Sequence, residues 1–474
     1  MSKTITEFLA DLETGRTTAV QLVQESLAKL TQAQEQYNNV IGFTKERALE
    51  RAHRIDADRA AGKLMGRLAG IPFVAKDMFL AFGARTTAAS NILRTFEAPY
   101  QATAIERLEA EGAVLVAKTN QDSFGHGAST ENSDFGPTSN SRDTERVAGG
   151  SSGGSAVAVA LGAVPFAIGT DTGGSTRQPA SFNGVVGHKP TYGSVSRYGV
   201  VAMASSTDTI GTLAANVDDA ALVFDCMAGQ DQRDSTTLPD RPASYEPAQN
   251  PLERKLRIGL VTEYMGDALA DDVRRQVQKR ADDLRELGHE VQEVSLPALD
   301  LSLAIYYIVI PAEVSSNLSR YDGIKYGLSA AEAKSLDEVY GMSRDQGFNA
   351  ENKRRILIGT YVLSSGYYDA YYRKAQAART VLINQFSQAF DQYDLLIGPV
   401  APTTAFKLGE NTDDPLKMYL ADLMSVAPSL AGLPAMSVPS GEGDYGLPVG
   451  LQLIGKQRSD ALLFAVAKQL EGKQ

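Results

Sequence analysis

The sequence predicts an α/β fold, and three observations carry that prediction. Short apolar runs of the kind that form buried strands recur along the 474 residues, among them Ala113–Ala117, Val164–Ile168 and Asp394–Val400. Between them lie longer segments whose apolar residues fall three and four apart, the helical spacing. Leu256–Val261, Asp271–Leu287 and Glu290–Val294 repeat the alternation as a strand–helix–strand unit. Hydrophobic residues make up 43% of the chain. A chain this long can bury about three-quarters of its unfolded surface. Length alone allows two or three domains, and no internal repeat or low-complexity tract divides it.

Taken in order, residues 1–60 read as helices. Thr4–Leu12 and Thr18–Leu30 carry the helical spacing, and Gly15 separates them. Ser26 and Lys29 imitate a serine–lysine catalytic motif but read as polar residues on a helix face. His53, among arginines and aspartates, reads as solvated. Leu68–Asp77 is a short apolar run that delivers Lys76 to its end. Such a run is too apolar for an exposed edge, so the ammonium is expected to be partly buried and its pKa lowered by desolvation. A lysine useful as a base near neutrality must fall by about three units, a differential cost of roughly 4 kcal/mol.

A helix over Ala102–Glu111 precedes the strand Ala113–Ala117. Thr119–Pro137 is then a polar loop expected to lie over the site, with His126 in a packing or substrate-edge role rather than a catalytic one. A helix over Val217–Met227 follows. Residues 229–255, rich in Asp, Pro and Arg, make the best internal linker. Ala304–Phe390 reads as mainly helical, and Ala435–Pro439 as a buried strand. Gly450–Lys456 misses the phosphate-loop pattern, because its interior alternates as a strand and Gln457 stands where a hydroxyl residue is required.

Composition excludes several functions. The net charge of −11 makes the chain a poor electrostatic fit to nucleic acid, so any RNA contact is expected through a partner. The single Cys226 rules out an intramolecular disulfide and a cysteine-only metal site, and its apolar helical surroundings make it a core residue. Met1–Gly15 lacks the apolar core of a signal peptide, and no run of 18 apolar residues occurs. A soluble cytoplasmic protein is expected.

The chemistry concentrates between Val147 and Pro190. Two glycine–serine clusters, Gly149–Ser155 and Thr172–Ser175, flank a helix-like span and the strand Val164–Ile168. The order loop, helix, strand, loop brings the clusters back towards one another, which suits a cradle of backbone amides beside a serine. Gly149–Gly153 and Gly150–Gly154 both match the G-x-S-x-G elbow, a weak signal in a chain with 42 glycines. An elbow hydrolase also needs a downstream acid and then a histidine. Only His188 and His289 follow, and His289 lies in a helix-end turn that reads as a solvated surface position. No Lys-Ser or Lys-Thr follows the glycines, so a phosphate loop is also excluded.

Gly149–Ser155, followed by Gly169–Ala180, resembles the amidase signature family. By that resemblance the catalytic groups are Ser175 as nucleophile, Ser151 as bridging serine 24 residues earlier, and Lys76 as base, 99 residues before Ser175. The oxyanion hole is then formed by the amides of Thr172, Gly173 and Gly174 with that of Ser175, and the Gly150–Ser151 peptide is cis. The family implies a mixed central sheet covered by helices on both faces. It also implies one amidase domain over 1–474, with N-terminal helices to 60, a catalytic core over 61–228 and the rest of the sheet and helical cover over 256–474.

Ser129–Thr138, Ser196–Ala202, Gly366–Tyr372 and Met418–Pro439 resemble one branch of that family, the A subunits of glutamyl-tRNA(Gln) amidotransferases. The resemblance implies a glutaminase that supplies ammonia to a B subunit. That partner uses ATP and Mg to amidate glutamyl-tRNA, and a small C subunit holds the heterotrimer together. No cofactor and no metal is implied in this chain, and tRNA is met mainly through the B subunit. A free amino acid asks for one Arg and one acid, which by resemblance are Arg355 and Asp422. Met78, Phe79, Ala148, Asn183 and His188 depart from the usual pattern. The alternatives are a stand-alone amidase acting on aryl, acyl or fatty amides, and a scaffold whose triad is unused.

Overall fold

Eleven strands hydrogen-bond into one sheet in this computed structural model, which describes residues 3–240, 252 and 254–473. In chain order they are β1 (Val40–Phe43), β2 (Pro72–Lys76), β3 (Val114–Thr119), β4 (Phe166–Asp171), β5 (Val186–Lys189), β6 (Thr209–Ala214), β7 (Arg257–Val261), β8 (Glu290–Val294), β9 (Leu395–Pro399), β10 (Ala435–Glu442) and β11 (Pro448–Gly455). Across the sheet the order is β1-β3-β2-β4-β6-β5-β10-β11-β9-β7-β8. Strand β2 runs parallel to β3 and β4, and β7 runs parallel to β8 and β9, while the strands between are antiparallel. The sheet is therefore mixed. Residues 40–214 and 257–455 share it, joined where β5 pairs with β10.

Every residue of β2, β3, β4 and β6 is buried. A strand buried on both alternating faces needs cover on both, which the helices supply. They are α1 (Ile5–Glu13), α2 (Ala19–Tyr37), α3 (Lys45–Ala60), α4 (Thr103–Ala110), α5 (Gly153–Ala160), α6 (Arg177–Asn183), α7 (Val217–Met227), α8 (Asp271–Glu286), α9 (Ser302–Asn317), α10 (Leu336–Gly347), α11 (Ala350–Leu363), α12 (Lys374–Gln392), α13 (Pro415–Leu420), α14 (Val426–Leu430) and α15 (Asp460–Glu471). Both N-terminal helices start at capping boxes, Thr4 with Glu7 and Thr18 with Gln21.

One contact between helices sets the site. Gly359 of α11 has no side chain, so α11 comes up against α9 at Pro311. A Cβ on Gly359 would run into the Pro311 carbonyl oxygen. One turn along each helix lie Tyr307 and Arg355. Among the described residues, 297–320 is the one helical stretch long and apolar enough to cross a membrane. It contains α9, and 56% of its apolar 18-residue window is buried inside the protein, as in a core helix.

Three sequence expectations need correction. Residues 1–60 are not all helical: Asn38 takes a left-handed conformation (φ 50°) that ends α2, and Val40–Phe43 then pairs with β3 as an edge strand. The first part of the expected linker is packed. Asp231 accepts hydrogen bonds from Thr103 Oγ1 at 2.5 Å and Ser196 Oγ at 2.7 Å, and Asp234 accepts one from the Arg197 amide at 2.8 Å. Within that stretch, 241–251 and 253 lie outside the described residues. His289 is buried rather than solvated. Its Nδ1 accepts from the Leu256 amide at 3.2 Å and its Nε2 lies 2.9 Å from Gln469 Oε1, because α15 closes over the turn after α8.

Candidate active site

Lys76 ends β2 beside its parallel neighbour β4, so its side chain meets Thr170 on that strand. Lys76 Nζ lies 2.7 Å from Ser151 Oγ and 2.8 Å from Thr170 Oγ1, with no exposure to solvent. Burial brings its pKa down to about 7, against the pull of Asp122, Asp171 and Asp208, which favour the charged form. The next residue, Asp77, is fully buried too and pairs with Lys118 at 2.8 Å, so its charge is satisfied away from Lys76.

The two glycine–serine loops meet as their order predicts. The Ser152 amide donates to the Ser175 carbonyl oxygen at 3.1 Å, Ser152 Oγ donates to the Thr170 carbonyl oxygen at 3.2 Å, and the Gly150 amide donates to Gln178 Oε1 at 2.8 Å. The Gly150–Ser151 peptide is cis. Lys76 and Ser151 are thus in direct contact, and Ser175 is carried beside them by backbone. Among the described residues no hydrogen bond joins the Ser151 and Ser175 hydroxyls.

Asp171, the last residue of β4, organises the second loop. Its carboxylate accepts from the Gly174 amide at 2.8 Å, the Thr176 amide at 3.2 Å, and Arg177 Nη2 and Nε at 2.9 and 3.0 Å. Burial alone would raise its pKa, but the Arg177 charge and hydrogen bonds hold it at about 2. The Gly174 amide is thereby engaged. The amides of Thr172, Gly173 and Ser175 take no partner among the described residues. Ser425 Oγ donates to the Gly173 carbonyl oxygen at 2.5 Å, which turns that peptide's N–H to the other side. Both glycines are required. A Cβ at Gly173 would lie 2.6 Å from Tyr306 Oη, and Gly174 has φ +136° with Ser425 Oγ where a Cβ would stand.

Arg355 and Asp422 are also brought together, and Tyr307 joins them. Tyr307 Oη donates to Asp422 Oδ2 at 2.8 Å, and the Arg355 guanidinium carbon sits 5.4 Å from the Tyr307 ring centroid and 5.7 Å from that of Tyr419. The two rings stack at 3.8 Å. Glu351, one turn before Arg355, accepts from its Nε at 2.8 Å and from Tyr419 Oη at 3.2 Å. Burial pushes the Asp422 carboxyl up to about 7, although Tyr307 and Arg355 pull it down. Arg355, Tyr307, Glu351 and Tyr419 line one cavity with Gly127 and Ala128 of the 119–137 loop. The Ser425 amide donates to the Asp422 carbonyl oxygen at 3.0 Å, which ties this cavity to the loop that Ser425 holds.

Thr170, Tyr307, Glu351 and Tyr419 escaped the sequence reading, since nothing local marks them. His188 lies fully buried in β5, 3.2 Å from Asp460 and against Phe224 and Phe464, and takes no part in the site. Two of the departures meet: Asn183 Nδ2 donates to the Ala148 carbonyl oxygen at 2.7 Å. Met78 places its sulfur 3.6 Å from Thr170 Oγ1. Among the described residues no group of three His, Cys, Asp or Glu could hold a metal ion.

A buried near-neutral lysine against a serine, a second serine among free amides, and an Arg–acid pair nearby can together acylate a serine with an amino-acid amide. The family model described as Amidase matches residues 21–464. The A subunit of the glutamyl-tRNA(Gln) amidotransferase of Ralstonia nicotianae is 50% identical, over 98% of this chain and 96% of its own length. That of Thermosynechococcus vestitus is 50% identical over 96% and 94%. The crystal structure of the corresponding A subunit from Thermotoga maritima superposes with a TM-score of 0.79 at 36% identity, covering 96% of this chain and 92% of that one.

Proposed function

The chain belongs to the amidase family, and from that premise we propose that it is the glutaminase subunit of a glutamyl-tRNA(Gln) amidotransferase. The observation that carries this over a general amidase is the pairing of Arg355 with Asp422 across Tyr307. A buried cation and a buried acid sharing one tyrosine match the α-carboxylate and α-ammonium of a free amino acid. An aryl or fatty amide has no use for either. The near-full-length identity with A subunits supports the same reading.

In the reaction, neutral Lys76 takes the Ser151 proton while Ser151 takes that of Ser175, and Ser175 Oγ attacks the side-chain amide carbon of glutamine. The amides of Thr172, Gly173 and Ser175 donate hydrogen bonds to the developing oxyanion. Gly174, whose amide is held by Asp171, shapes the cradle through its backbone conformation. The proton returns from Lys76 through Ser151 to the departing nitrogen, so ammonia leaves a γ-glutamyl ester on Ser175. Water, deprotonated by the same relay, cleaves the ester to glutamate. The ammonia passes to a B subunit, which uses ATP and Mg to amidate glutamyl-tRNA, and a small C subunit completes the heterotrimer. The chain acts as one amidase domain in the cytoplasm and carries no cofactor of its own.

Co-purification of the partners followed by a glutaminase assay, with and without tRNA and ATP, tests this. Glutamine hydrolysis that tRNA and ATP stimulate is expected. The net charge of −11 supports tRNA binding through the partners, so the isolated chain should show no tight, salt-sensitive tRNA binding. Hydrolysis of aryl amides but not glutamine would overturn the reading.

A further inference from the structure

We propose that His126 is a further substrate-contacting residue, donating a hydrogen bond from Nε2 to the carboxylate end of the amino acid beside Arg355. The inference rests on the glutamine reading above and adds a specificity-determining group to it.

The His126 side chain has no exposure to solvent, and its tautomer is set by Asn352. Asn352 Nδ2 lies 3.2 Å from the Ser123 carbonyl oxygen, which can only accept, and Ser123 Oγ donates to Asn352 Oδ1 at 2.9 Å. These contacts fix which end of the amide carries the hydrogens. The same Nδ2 therefore donates to His126 Nδ1 at 2.8 Å. A ring nitrogen that accepts has no proton of its own, so the imidazole N–H is on Nε2. That atom has no hydrogen-bond partner among the described residues. A buried donor without an acceptor is costly, and a ligand that supplies one relieves the cost.

The neighbouring residues bracket the ring between the reacting groups and the Arg355 cavity. A Cβ on Gly125 would lie 3.5 Å from Ser151 Oγ, so the chain just before His126 packs against the reacting groups. Just after it, Gly127 and Ala128 line the cavity that holds Arg355. Asn352 and Arg355 are three apart on α11 and so share a face. Burial, and then the Arg355 charge, keep the imidazole neutral. A neutral donor beside a guanidinium leaves the second oxygen of a carboxylate for the ring, since a carboxylate has about four acceptor sites. The same facts exclude His126 as a proton carrier, because its accepting nitrogen is occupied and it does not charge near neutrality.

The assembled amidotransferase provides the test. His126→Phe keeps a ring and removes the donor, and His126→Gln keeps an N–H. The Phe variant should raise KM for glutamine about tenfold, the loss of one hydrogen bond, with kcat within about twofold, and the Gln variant should recover most of it. In case the Phe variant does not fold, Asn352→Asp gives Nδ1 an acceptor and moves the proton off Nε2, so KM should rise there too. The chain has four histidines, few enough to follow the Nε2–H resonance of His126 by NMR. Saturating glutamate should shift it downfield and slow its exchange. An unchanged KM in the Phe variant with an unmoved resonance would overturn the inference. Where the wild type hydrolyses glutamine, that outcome removes this inference alone. A wild type that cannot hydrolyse glutamine removes the functional reading itself.

Discussion

Lys76 Nζ and Ser151 Oγ stand 2.7 Å apart although they are 75 residues apart in the chain, and neither is open to bulk water. The contact arises because β2 and β4 are adjacent and parallel, so the end of one strand lies beside the loop that crosses the other. Burial favours the uncharged amine, which makes this lysine a base at neutral pH rather than a counter-ion.

Activity should follow two titrations. In the proposed mechanism Lys76 is neutral to accept a proton and Asp422 is ionised to hold the substrate ammonium, and burial brings both to about 7. Below that pH both are in the wrong state, so log kcat/KM for glutamine should fall with a slope approaching two, since this parameter reports the free enzyme. Lys76→Ala should abolish acylation and Lys76→Arg should not restore it, because guanidinium does not deprotonate. A pH profile of slope one, or an active Arg variant, would exclude the joint requirement.

Stability carries the same signature with its own sign. The folded Lys76 pKa is depressed, so between about pH 7 and 10 the unfolded chain holds a proton that the folded one has shed, and stability rises with pH through that window. Its contribution is at most about 1.4 kcal/mol per pH unit. Lys76→Met should remove that slope. Denaturant unfolding at several pH values should show the variant gaining on the wild type as pH falls from 10 to 7, and a constant difference would refute the depressed pKa.

How much of this was legible in the sequence varies with how local the signal is. The two glycine–serine loops and Lys76 were readable, because glycine density, an apolar run ending in lysine and their spacing all lie along the chain. Arg355 and Asp422 were identifiable only through family resemblance, since alone each reads as an ordinary charge on a helix. Glu351, Tyr307 and Thr170 acquire their roles from the Pro311–Gly359 approach and from the β2–β4 pairing, which no local pattern encodes. His289 misled for the opposite reason: its neighbours in sequence are polar, but α15, distant in sequence, covers it.

The substrate clamp should separate binding from chemistry. Arg355→Lys loses the planar fork, and KM for glutamine should rise about 10- to 100-fold with little change in kcat. Glu351→Gln keeps the guanidinium but weakens the partner that holds its Nε, and a rise of about tenfold is expected. Neither change should affect hydrolysis of a simple amide lacking a carboxylate, such as butyramide. Steady-state kinetics on both substrates would decide it, and parallel losses on both would point to damage to the fold.

The nucleophile can be read directly. Ser175 sits among three amides without partners among the described residues, those of Thr172, Gly173 and its own, so an oxyanion formed on a carbonyl attacked by its hydroxyl finds donors already in place. Losing one such donor typically costs about 10²–10³ in rate. Ser151 Oγ instead lies against Lys76 Nζ, where it can pass a proton. Among the described residues no hydrogen bond joins the Ser151 and Ser175 hydroxyls to each other, so substrate is expected to draw them together as it enters. An electrophilic diazoketone analogue of glutamine should therefore label Ser175 and nothing else, as located by mass spectrometry of the digested protein. Ser175→Ala should abolish the adduct, whereas Ser151→Ala should slow its formation while leaving its position unchanged. A label on Ser151, Ser152 or the buried Cys226 would show that the amide-lined serine is not the reacting one.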